Sequence, residues 1–204
     1  MNLETAFTMD TSSIKFGKGV TREIGSDFKN MGVKRLMICT DNRVAKLSTM
    51  EVVEASLKEV GLEYEIYSGV SVEPTDVSFL EAIDFARKGK FDGYLGVGGG
   101  SSMDTVKAAN LYATYPPEDF LDYVNPPIGK GKPVPGLIKP MICIPTTAGT
   151  GSETTGVAIF DLLSMEAKTG IAHRSLRPLM GIIDPDNTKS CLLYTSDAAD
   201  DPYG

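Results

Sequence analysis

The sequence predicts an α/β protein built on a parallel sheet, and three observations carry that expectation. Short apolar runs alternate with amphipathic stretches through most of the chain, the pattern of strands joined by helical crossovers. The apolar runs are nearly continuous, as expected of strands covered on both faces. A cluster of glycines stands directly between a strand-like run and a helical one, where α/β sheets place their ligands.

Taken in order, Arg35 to Thr40 reads as a buried strand, Met50 to Val60 as a helix and Tyr64 to Tyr67 as a second strand. Phe79 to Lys88 carries Phe79, Leu80, Ile83 and Ala86 at helical spacing and leads into the strand Tyr94 to Val97. The next helix runs from Met103 to Tyr112, and Pro140 to Pro145 supplies a further buried strand. Between them, Tyr115 to Pro140 holds most of the prolines, which break helices and predict a long surface excursion. No internal repeat or low-complexity tract is present, which excludes a solenoid.

Composition narrows the function. The 204 residues are 42% hydrophobic and 23% charged, as in an ordinary globular protein. The net charge of −7 and the absence of a clustered basic patch argue against nucleic acid as a partner. No apolar run approaches the roughly 20 residues that cross a bilayer, so no membrane association is expected. Cys39, Cys143 and Cys191 fit no metal-ligand spacing, and the first two sit in apolar runs where a thiol acts as a small hydrophobe. His173 is the single histidine, so any His-rich metal site or Ser-His-Asp triad would depend on that one residue.

The strongest local signal is Gly96 to Lys107, with Gly98, Gly99 and Gly100 in succession between strand and helix. Glycine lets the backbone approach a pyrophosphate, and the free amides of the helix's first turn point at its charge. Ser101 or Ser102 is expected to cap this helix, and Asp104, in its first turn, to accept from loop amides. The bland alternative is a tight turn that merely caps a helix. A second loop, Pro145 to Thr154, follows the next strand and offers hydroxyls and bare amides for an opposite wall of the same cleft. Asp41, just past the first strand, can accept from ribose hydroxyls and repel a 2′-phosphate, which favours NAD over NADP; an ordinary turn is the competing reading.

Together Glu73-Pro74-Thr75, the Gly98 to Asp104 loop, the Pro145 to Glu153 loop and Ile183-Asp184-Pro185 resemble the iron-containing alcohol dehydrogenase family over nearly all of residues 5–188. Within it, Val72 to Asp76, Ala108 to Tyr112, Asp119 to Tyr123, Pro127 to Pro133 and Glu153 to Asp161 resemble its hydroxyacid-oxoacid transhydrogenase branch. The resemblance implies a Rossmann-like NAD-binding domain over 1–188. It also implies oxidation of 4-hydroxybutyrate to succinic semialdehyde coupled to reduction of 2-oxoglutarate to 2-hydroxyglutarate through bound NAD(H). Carried over by motif, Gly98, Gly99, Gly100, Ser101 and Asp104 would hold the pyrophosphate side. Thr146, Thr147 and Ser152 would line the cleft, Asp41 would meet the adenosine ribose, and Lys168 would reach the cofactor. The resemblance further implies a homodimer, and a mitochondrial location in a eukaryote or a cytoplasmic one otherwise.

One departure from the family pattern stands out. The family's iron or other divalent metal is held by an aspartate and three histidines, beginning with an Asp-x-x-x-His motif soon after Asp184-Pro185, and that motif is not in this sequence. The expectation is therefore a chain lacking the helical metal-binding domain, inactive by itself, with His173 at a cleft edge or surface and metal ligands lying beyond the chain. Residues 189–204 resemble a translated sequencing adapter and are expected to be non-native. The start, MNLETAFTMD, has neither a secretory nor a mitochondrial leader pattern. Two other functions stay open: a plain NAD-dependent alcohol dehydrogenase of the same family, and a non-catalytic nucleotide-binding module.

Overall fold

The computed structural model describes residues 11–191. Residues 192–204, most of the segment read as a non-native tail, and the first ten residues lie outside the described residues.

Six parallel strands form one sheet, in the spatial order β1-β8-β5-β4-β2-β3. They are β1 (Ser13–Phe16), β2 (Arg35–Cys39), β3 (Glu63–Tyr67), β4 (Gly93–Gly98), β5 (Met141–Pro145) and β8 (Met180–Ile183). Strands β2, β4 and β5 are the runs marked out by their near-continuous apolar character, and β4 and β5 are buried along their whole length. The chain leaves β2 for β3 on one side and β4 for β5 on the other, so the direction of winding reverses between β2 and β4. In open parallel sheets, the crevice at such a reversal, beyond the carboxyl ends of the strands, is where ligands sit.

The helices divide between the two faces. Helices α1 (Ile24–Asn30) and α2 (Ser48–Glu59) cover one face, where Ile24, Phe28, Val53 and Leu57 pack on Leu36, Ile38, Leu95, Val97, Ile142 and Ile144. Helices α3 (Asp76–Gly89) and α4 (Gly100–Thr114) cover the other, with Ala82, Ala86, Met103, Val106 and Ala109 against Met37, Cys39, Tyr94 and Cys143. Each buried Val, Leu, Ile, Phe or Met among them contributes about 1.5–3 kcal/mol. Helix α3 starts where Thr75 and Ser78 exchange side-chain and backbone hydrogen bonds in a capping box.

A further layer lies outside α3 and α4. An antiparallel hairpin, β6 (Val157–Leu162) and β7 (Ala167–Ala172), packs Ala158, Phe160, Leu162 and Ile171 onto Phe79, Ile83, Ala108, Leu111 and Tyr112. The segment after α4 is the irregular surface excursion expected, anchored to this layer at its middle: Asp122, Tyr123 and Val124 are buried, and the rings of Tyr112, Phe120 and Tyr123 pack together. Aromatic residues spaced between the prolines drive this, since burying them outweighs the lack of regular structure. Caught between sheet and hairpin, α4 is buried from Ser102 to Tyr112.

Among the described residues, no helix is long and apolar enough to cross a membrane.

Candidate functional site

The three loops singled out in the sequence meet at the carboxyl edge of neighbouring strands. Asp41 follows β2, Gly99 and Gly100 follow β4, and Thr146 and Thr147 follow β5. Together they border a cavity of about 450 Å³ whose lining includes Asp41, Gly99, Ser101, Thr146 and Thr147, with Val44, Leu47 and Val70 as apolar walls. A second cavity of about 220 Å³ adjoins it through Ser101 and is lined by Gly100, Asp104, Ser152 and Lys168 among others. Of the ten residues expected in the site, only Gly98 borders neither cavity; it is buried just beneath.

Gly98 has φ 145°, a conformation glycine adopts freely, and a Cβ there would stand 2.5 Å from Ser102 Oγ. Gly99 is the N-cap residue of α4, and no side chain caps that first turn. This corrects the expectation that Ser101 or Ser102 would cap the helix: the glycines enter the helix one turn earlier than the apolar periodicity indicated, and both serines lie inside it. The Ser102 and Met103 N–H groups donate to the Gly99 carbonyl at 3.1 and 3.2 Å, while those of Gly100 and Ser101 have no backbone acceptor among the described residues, an arrangement suited to an anion. The second loop is tied to the first by the Thr146 N–H donating to the Gly98 carbonyl at 2.9 Å.

Asp41 divides its carboxylate. Oδ1 accepts from the N–H groups of Arg43 (2.7 Å) and Val44 (2.9 Å), which is turn chemistry. Oδ2 lies beside the glycine loop, 3.7 Å from where a Cβ would stand on Gly98, with no hydrogen-bond partner among the described residues.

Asp104 departs from expectation. Its Oδ2 accepts from the Ile159 N–H of β6 at 3.1 Å, and Oδ1 pairs with Lys107 Nζ at 3.3 Å, so the carboxylate serves the hairpin and not the loop amides. Burial pushes its pKa up, opposed by the Lys107 charge and the Ile159 hydrogen bond. Lys168 is exposed on β7 and pairs with Asp161 at 3.6 Å. His173 is half-buried away from both cavities; its Nδ1 accepts from the Ser175 N–H at 3.1 Å and caps a short turn.

Several lining residues escaped sequence reasoning. Val44, Leu47 and Val70 form the apolar walls, Ser190 and Cys191 reach the rim of the larger cavity, and Glu73, with φ 55°, borders the smaller one. Glu73 was visible only as part of a motif; its left-handed backbone, uncommon outside glycine, has no sequence signature of its own.

The Asp184 carboxylate, in the Ile183-Asp184-Pro185 motif, is fully engaged in holding the chain. It accepts from the N–H of Gly19 (3.0 Å), the N–H and hydroxyl of Thr21 (3.2 and 2.8 Å) and the N–H of Asp186 (3.1 Å). Burial alone would raise its pKa, but these hydrogen bonds bring it below the ordinary carboxylate value.

The model of the iron-containing alcohol dehydrogenase family matches residues 11–185. The chain belongs to this family. Mitochondrial hydroxyacid-oxoacid transhydrogenases are similar to it: that of Mus musculus is 55% identical over 90% of this chain and 39% of its own length, and that of Homo sapiens 56% identical over the same shares. Among solved structures, NADH-dependent butanol dehydrogenase A from Thermotoga maritima superposes with a TM-score of 0.84 at 27% identity, covering 94% of this chain and 47% of its own. Sulfoacetaldehyde reductase from Bifidobacterium kashiwanohense, solved in complex with NAD+, gives a TM-score of 0.78 at 27% identity, covering 92% of this chain and 48% of its own. The chain thus spans about two fifths of the curated relatives named here and about half of the solved family members. Across the matched part, the Rossmann-like sheet expected from the sequence is the fold found.

The residues at hand fit one of the family's two expected groups and not the other. An uncapped helix end, a glycine cradle and an unengaged carboxylate oxygen suit a dinucleotide. Among the described residues, no group of three or more His, Cys, Asp or Glu is arranged to hold a metal ion.

Proposed function

We propose that the chain is the NAD(H)-binding half of a hydroxyacid-oxoacid transhydrogenase, with residues 1–188 as the nucleotide-binding domain and 189–204 as a non-native tail. The observation that carries this reading is the uncapped start of α4, opening at the winding reversal of the sheet beneath three glycines. The 55% identity to the mouse transhydrogenase over 90% of this chain favours that branch over a plain alcohol dehydrogenase.

In this reading Gly99, Gly100 and Ser101 hold the pyrophosphate through backbone amides, whose partial positive charge offsets the phosphates, and Gly98, buried beneath, turns the strand into them. Asp41 Oδ2 accepts from the adenosine ribose and, by repulsion, disfavours a 2′-phosphate. Thr146, Thr147 and Ser152 wall the cleft, and Lys168 brings a cation to the cofactor side. When bound, a nicotinamide would carry the hydride, accepting it from 4-hydroxybutyrate and passing it to 2-oxoglutarate. The divalent metal and its ligands belong to the part of the relatives that this chain does not match, so the chain alone is expected to bind cofactor without turnover. A mitochondrial location and a homodimer accompany the same reading.

The test is NADH binding by the chain, followed by nicotinamide fluorescence, beside Gly99→Asp. The added carboxylate lies at the cleft floor and repels the pyrophosphate. Binding by wild type and not by the variant is the expected result. Binding by both, or by neither while circular dichroism shows both folded, would overturn the cofactor assignment.

A further inference from the structure

Lys107 is an unusual resident of a helix core. Its side chain is 0% exposed, yet it carries a charge that burial strongly penalises unless every proton is met. Three partners meet it: the Val157 carbonyl at 2.8 Å, Asp104 Oδ1 at 3.3 Å and Thr155 Oγ1 at 3.4 Å. Asp104 is engaged on both oxygens, accepting from the Ile159 N–H at 3.1 Å and from Lys107, and it shares the lining of the smaller cavity with Ser152 of the second loop. The two residues stand three apart on one face of α4, so both side chains leave the helix toward the same neighbour. That neighbour is β6 and the loop leading into it.

Apolar packing alone would let the hairpin slide on α4, because hydrophobic contact is not directional. Directed bonds from one buried pair to Val157 and Ile159, successive residues on the same side of the β6 backbone ladder, fix its register. β6 in turn sets β7, where Lys168 pairs across the hairpin with Asp161. The pair therefore links the glycine loop that opens α4, the second loop through Ser152, and the strand bearing Lys168.

We propose that Asp104 and Lys107 form a positioning strut that sets the spacing between the glycine loop and the Lys168 hairpin, Asp104 acting through this pair and not by touching phosphate. The cofactor part of this inference rests on the NAD(H) reading above. A carboxylate acting directly beside a pyrophosphate and a carboxylate acting as a strut predict opposite signs. Removing the former's charge tightens NADH binding; removing the latter loosens it.

The experiment uses Asp104→Asn, Lys107→Met and the double variant in the intact chain. It reads NADH dissociation constants by fluorescence, melting temperature by circular dichroism, and amide hydrogen exchange over 150–172 by mass spectrometry. Each single variant is expected to bind NADH about tenfold more weakly and to exchange faster over 150–160 and 167–172. The double variant leaves no unpaired buried charge, so its melting temperature recovers toward wild type while its NADH affinity stays low. Tighter binding by Asp104→Asn, exchange unchanged in all three variants, or affinity recovering together with stability in the double variant would each overturn the strut. If a single variant does not fold, the double variant still decides. If wild type itself does not bind NADH, the function reading falls, and hydrogen exchange alone decides whether the pair sets the hairpin.

Discussion

Adjacent glycines at the mouth of α4 should separate folding from binding. Gly98 lies at φ 145°, and a Cβ there would fall 2.5 Å from Ser102 Oγ and 2.9 Å from Ser102 Cβ, with Ser102 only 1% exposed and unable to move aside. Alanine there incurs a strained backbone, about 1–3 kcal/mol, and overpacking of about 1–3 kcal/mol. Gly98→Ala is thus expected to lose about 2–6 kcal/mol of folding stability. Gly99 differs in every respect: its φ of −78° suits any residue, and its Cβ would meet Thr147 at 3.4 Å, an ordinary contact. Gly99→Ala should cost no more than about 1 kcal/mol, the ordinary range for an N-cap change. Its methyl would project from the cleft floor, where a pyrophosphate must approach the backbone, so NADH affinity should fall at least about tenfold, or about 1.4 kcal/mol. Urea denaturation and NADH fluorescence on both variants give the two readouts. Wild-type stability for Gly98→Ala, or a stability loss for Gly99→Ala as large as that of its neighbour, would refute the reasoning.

Two further outcomes follow from single side chains. The Thr40 hydroxyl is fully buried with no hydrogen-bond partner among the described residues, so Thr40→Val should stabilise the chain by about 1 kcal/mol and raise its melting temperature by about 2–4 °C; a lower melting temperature would count against it. The Asp122 carboxyl is held down to about 2, from an ordinary 3.8, by hydrogen bonds from Lys130 at 2.8 Å and then Lys132 at 3.0 Å. A depressed folded-state pKa contributes stability that is present above the ordinary carboxylate range and is lost as pH falls toward 2. Asp122→Asn should therefore melt lower than wild type at pH 7 and converge with it near pH 2; equal melting temperatures at pH 7 would remove the ion-pair argument.

What the sequence disclosed, and what it hid, follows from how each element is covered. Arg35 to Thr40 and Pro140 to Pro145 were legible as strands because both faces of β2 and β5 are buried, leaving no polar alternation to confuse them. The hairpin was not read. β6 does alternate, with Ala158, Phe160 and Leu162 inward, and that pattern was available; β7, with Lys168 and Gly170 in six residues, offers little propensity of its own. β1 is a four-residue edge strand with Phe16 71% exposed, and nothing local marks it. At the cleft, Gly99, Gly100 and Asp41 could be placed from spacing because their positions follow from strand ends. Lys107 could not, since a lysine three residues after an aspartate normally faces solvent. Only the outer layer, itself unread, makes it a core residue.

The order of strands also bears on how the chain is made. Ser13 pairs with Met180, so among the described residues β1 has its sheet partner in β8, which is wedged between β1 and β5. At about 5–20 residues per second, a nascent β1 waits on the order of 10–30 s for that partner to emerge, with Ile14 and Phe16 unpaired throughout. The centre of the sheet, from β2 to β5, is complete in sequence well before then and can assemble first. Closing the β1 edge thus waits until β8 has emerged, and ribosome-bound intermediates should carry a formed cleft beside an unfinished sheet.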